Sequence, residues 1–103
     1  MKDLFEGTRQ LVSYRQSVKV DLYESMYRAV DDLKINVNKY KTRTYDLMEL
    51  LFVISEYKQV INKLSIVGLL SDSKWEVLSE ALRTLDARCR SLMDMNDELE
   101  EGE

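Results

Sequence analysis

Histidine is absent from this chain, and so is proline. Without histidine the commonest general base, proton shuttle and zinc ligand are missing, so most acid–base and metal chemistry loses its usual ingredient. Glycine occurs three times, at Gly7, Gly68 and Gly102. These lie far apart, which leaves no glycine-rich loop to cradle a phosphate. So few breakers also disfavour sheets, which need frequent sharp turns, and an all-α fold is expected. The single cysteine, Cys89, cannot form an internal disulfide and has no histidine to activate it. The longest apolar run, Leu50 to Ile54, is far short of the ~18–20 residues of a membrane span. The opening stretch MKDLFEGTRQ lacks the apolar centre of a signal peptide. The expected setting is therefore cytoplasmic, with no membrane contact.

What is present is a heptad seam. Trp75, Leu78, Leu82, Leu85, Cys89, Leu92, Asn96 and Leu99 follow at alternating spacings of three and four, the coiled-coil pattern of a long amphipathic helix with one narrow apolar face. Ser73 and Glu76 before it read as a capping box, S-x-x-E. A second helix is expected to start after Thr42 or Thr44, either of which can cap it. It carries Leu47, Leu50, Leu51, Ile54, Tyr57, Val60, Ile61 and Leu64 as its core stripe and stops at Gly68. In the first helix, Leu4, Leu11, Tyr14, Val18, Leu22, Met26, Ala29 and Leu33 fall on one side at about 100° per residue. Residues 34–42, KINVNKYKT, alternate apolar with polar and include asparagines. That pattern weakens the helix, so a loop or frayed turn is expected there, with continuous helix as the alternative. The predicted architecture is an antiparallel three-helix bundle, with helices at about 4–33, 44–66 and 74–100. It forms a single domain over residues 1–103 with a short acidic tail from about residue 97, and a homodimer is its expected resting state.

Charge is unevenly spread. Residues 1–45 hold nine Lys and Arg against six Asp and Glu, net +3. Residues 46–103 hold six against thirteen, net −7, which disfavours nucleic acid as a partner of that half. The carboxylates form no calcium-loop pattern and read as solvated faces. No metal and no cofactor is expected.

Two candidate sites remain. A second apolar stripe on helix one, with Phe5, Val12, Tyr23, Tyr27 and Val30, continues in function onto Tyr45, Met48 and Phe52 on the outer side of helix two. Tyrosine and phenylalanine are favoured where a partner covers a surface, and an uncovered apolar band is a liability. The first expectation is thus a non-enzymatic module that binds and modulates another protein, as an inhibitor, adaptor or assembly factor. The alternative uses Lys34, Lys39, Lys41 and Arg43, with Tyr40 and Tyr45 interleaved, to contact nucleic-acid phosphates. A helical enzyme built on carboxylates or Cys89 ranks third.

Overall fold

The computed structural model describes residues 22–101. Three helices and two short connections make up this part, and no strand occurs among the described residues. We label them α1, described over residues 22–39; α2, Thr44–Ile66; and α3, Asp72–Glu101. They pack as a helical bundle around one apolar core. Val30, Leu33 and Val37 enter it from α1, Leu47, Ile54 and Ile61 from α2, and Leu78, Leu82, Leu85 and Cys89 from α3. On α2 these residues recur every seven positions and on α3 every three or four, so each helix sends one face inward.

α1 continues past residue 33, so the expectation of a loop over residues 34–42 is corrected. The alternation seen there is two helical faces seen in projection. Leu33 and Val37 are four apart and both buried, whereas Ile35 is 63% exposed on the opposite side. Burying Val37 fully adds roughly 1.5–3 kcal/mol, more than the weak helix propensity of the two asparagines removes. Only Tyr40 to Thr42 form the turn. The Tyr40 amide donates back to Asn36 O at 2.9 Å, and the Arg43 amide to Tyr40 O at 2.9 Å.

The caps also differ from expectation. Neither Thr42 nor Thr44 caps α2: Arg43 holds the cap position in extended conformation, without a side-chain cap bond. Asp46 in the first turn supplies the negative charge that the exposed amides favour, and Arg43 reaches it at 3.7 Å. On α3 the capping oxygen comes from Ser71, not Ser73. Ser71 Oγ accepts from the Lys74 amide at 3.4 Å and Ser71 O from the Trp75 amide at 2.8 Å. The helix therefore starts two residues earlier than a Ser73 capping box requires.

Gly68 ends α2 as expected. Its φ of +78° suits glycine, which has no Cβ to clash there. The Leu69 amide donates to Leu64 O and the Gly68 amide to Ser65 O, the paired bonds of a Schellman motif. Leu70 is then buried at the end of the core.

Side chains join the helices along their length. The Trp75 indole N–H donates to Asn62 Oδ1 at 2.7 Å near the Gly68 connection, and Lys58 meets Asp86 at 3.1 Å farther from it. Between α1 and α3, the Lys74 ammonium sits 5.0 Å over the Tyr23 ring, and Arg88 donates to Asn38 Oδ1 at 2.9 Å. Asn96 Nδ2 donates to Lys41 O at 3.1 Å.

Asp86 gathers two cations, Arg90 at 2.6 Å and Lys58 at 3.1 Å. The hydrogen bond from Arg90 is the main reason its carboxyl lies below the usual range. Partial burial opposes that shift, and Lys58 adds to it. A depressed carboxylate stabilises the fold above the usual carboxylate range, and that contribution is lost as pH falls through the folded value. Both cations are more than a third exposed, so the pair is worth at most about 1 kcal/mol. We expect Asp86→Asn to lower stability by no more than this at neutral pH. Its urea midpoint should converge with that of the native chain below the usual carboxylate range, and a difference that persists into strong acid contradicts the assignment.

Candidate functional site

Among the described residues, the outer side of α2 carries the clearest surface without a partner. Tyr45, Met48 and Phe52 are spaced three and four apart and are 73%, 55% and 66% exposed. At 100° per residue they lie on the side of α2 away from Leu47, Ile54 and Ile61. Those three already satisfy the core, so the outer stripe is surplus to folding. Glu49 and Glu56 flank it, both exposed and without an ion pair among the described residues. Farther along the same side stand the polar residues Ser55, Gln59 and Lys63, which separate this apolar stretch from the exposed Ile66 at the helix end.

The α1 candidates divide. Phe5 and Val12 lie outside the described residues. Val30 is 6% exposed and belongs to the core, so its place in a partner-binding stripe is corrected: α3 already covers it. Tyr23 is half-buried against the core, and its ring centroid lies 6.1 Å from that of Tyr27 in a tilted pair. Tyr27 is exposed. The structure thus places the α1 tyrosines between α1 and α3, whereas Tyr45, Met48 and Phe52 stand alone on α2.

The basic residues divide as well. Lys39 and Arg43 pack on Tyr40, at 5.4 and 5.9 Å from its ring centroid. Their charges stand at the end of α1, where cations complement the exposed carbonyls. Tyr40 is therefore occupied by its own neighbours rather than offered for stacking on a base. Lys41 is exposed, and its carbonyl is held by Asn96. Lys34 stands more than a turn earlier on α1. With Asp31, Asn38 and Arg88 it lines a groove of about 580 Å³ floored by Val30 and Leu85. Sequence reading missed this groove. Tyr27, Asp31, Lys34 and Asn38 follow one helical face, a signal visible only once α1 is carried through to Lys39.

Cys89 is fully buried. Burial pushes its thiol up, and the nearby Asp86 charge adds to the shift. A thiol held protonated is a poor nucleophile, which fits a packing residue. Among the described residues no cluster of three or more potential metal ligands occurs, and no helix is long and apolar enough to cross a membrane. What defines the described residues is therefore an all-α bundle with an apolar face that none of them covers. No protein-family model, curated protein or solved structure matches it.

Proposed function

We propose that this protein is a non-enzymatic helical interaction module that binds and modulates another protein through the outer face of α2. The observation that carries this is the Tyr45, Met48 and Phe52 stripe, three large apolar side chains exposed on one side of a helix whose opposite side already fills the core. Aromatic and methionine side chains of this kind are enriched at interface centres, and their contact with water is relieved by a partner. The absence of histidine and of glycine-rich loops favours a binding role over an enzymatic one. The lone cysteine favours a cytoplasmic setting. The nucleic-acid alternative is weakened by the packing of Lys39 and Arg43 on Tyr40.

The test compares the native chain with Met48→Glu/Phe52→Glu and with Gln59→Glu, a change on the polar part of the same side. All three should keep the same helical circular dichroism, because the substituted positions are exposed. A protein retained from native lysate by the native chain and by Gln59→Glu should be lost with the double variant, and should rebind in the same pattern after purification. Retention that ignores the double variant, or no retained protein at all, overturns the reading.

A further inference from the structure

We propose that the outer face of α2 receives residues 7–20 of a second copy of this chain, exchanged reciprocally in a symmetric dimer. The inference rests on the reading of that face as an interaction surface and names what covers it in the resting homodimer, until the other protein displaces it. Three observations support it.

The first is charge. Residues 7–20, GTRQLVSYRQSVKV, contain Arg9, Arg15 and Lys19 and no acid. The α2 stripe is flanked by Glu49 and Glu56, which no cation neutralises among the described residues. Opposite charges beside an apolar seam select partner and register in paired helices.

The second is spacing. Leu11, Tyr14 and Val18 repeat the three-and-four interval of Tyr45, Met48 and Phe52. Each set spans eight residues, so the two stripes match in length and can interdigitate. One such contact is small for a stable complex, but a two-fold axis makes it twice.

The third is position. Tyr23 meets Lys74 at the start of α3, so the chain enters α1 at the end of the bundle that holds the Gly68 turn. The Tyr45 end of the stripe lies at the other end, beside the Tyr40 to Thr42 turn. For residues 7–20 to reach it within one chain, the backbone must reverse just before residue 22. A second copy meets no such requirement.

The test uses the full chain. Light scattering should give twice the 12.1 kDa chain mass, and amides of residues 8–20 should be protected from hydrogen exchange at concentrations where the dimer forms. Glu49→Lys/Glu56→Lys should weaken the dimer at least tenfold and release that protection. Adding Arg15→Glu/Lys19→Glu to the same chain should restore both. Three results overturn the proposal: a single-chain mass at high concentration, whether or not residues 8–20 are protected, a dimer indifferent to the charge reversal, or a reversal that the second pair fails to rescue. A single-chain protein that still holds another protein through Met48 and Phe52 overturns the self-pairing alone. Loss of that retention pattern overturns the interaction reading itself.

Discussion

Leu82→Ala is expected to destabilise the bundle by about 3–5 kcal/mol. Leu82 is fully buried on α3, in the middle of the row from Leu78 to Cys89. Removing three carbons there loses their transfer energy and leaves a cavity that three rigid helices cannot close together. A chain of this size has a total stability of roughly 5–15 kcal/mol, so the variant should lose a large share of it. Its melting temperature should fall by about 15 °C or more. Arg83→Ala, one residue along and exposed, should stay within about 0.5 kcal/mol of the native chain. Chemical denaturation of both variants decides the matter. A loss under about 1 kcal/mol for Leu82→Ala means that α3 does not present this row to the core.

Asn96→Asp is the second large effect, with an expected loss of about 2–3 kcal/mol at neutral pH. Asn96 occupies a heptad-seam position at 9% exposure, and its amide donates to Lys41 O. It thereby fastens the end of α3 to the turn between α1 and α2. An ionised aspartate has no proton to donate and directs a charge at a carbonyl oxygen. Asp97 and Glu98 beside it add like charge. The folded-state pKa of the introduced acid is consequently raised. Its penalty is present above that raised value and fades as pH falls, vanishing below the usual carboxylate range, where the neutral acid again carries an O–H. Asn96→Leu behaves differently. It keeps the seam apolar, and Lys41 is exposed, so water can take over its carbonyl. That variant should stay within about 1 kcal/mol of the native chain. Denaturant midpoints measured across pH separate the two substitutions. An Asn96→Asp variant as stable as Asn96→Leu at neutral pH means that the amide does not clasp the turn.

Both variants bear on how much of the molecule is readable before folding. The seam from Leu78 to Cys89 was legible because one helix face buries one set of residues, and spacing alone reveals it. The second helix was legible for the same reason, with Gly68 marking its end. Residues 34–39 were not. The alternation of Leu33, Ile35 and Val37 with polar residues and asparagines read as a loop or frayed turn rather than as two faces of a helix, and only the presence of α2 and α3 on one side decides which of them is buried. The caps were misplaced by a residue or two because side-chain chemistry alone does not fix them: the cap position of α2 falls on Arg43, which makes no side-chain cap bond, and α3 takes Ser71 in place of the equivalent Ser73. Where each helix begins depends on the path of its connection.

The candidate site followed the same division. Tyr45, Met48 and Phe52 were separable from the core by their angle on α2. Val30 was not separable on α1, because a helix between two neighbours buries a wide arc, and the edge of that arc is set by the neighbour. The 580 Å³ groove beside Lys34 and Arg88 was invisible, since it is formed by residues some fifty positions apart. The sequence by itself determined the all-α class, the inward rows of α2 and α3, and the absence of histidine, because each depends on local spacing or on composition. The tertiary structure alone decided where α1 ends, which tyrosines face outward, and that Asn96 holds the first turn. Those outcomes depend on which helix stands beside which, a relation that no local stretch of chain encodes.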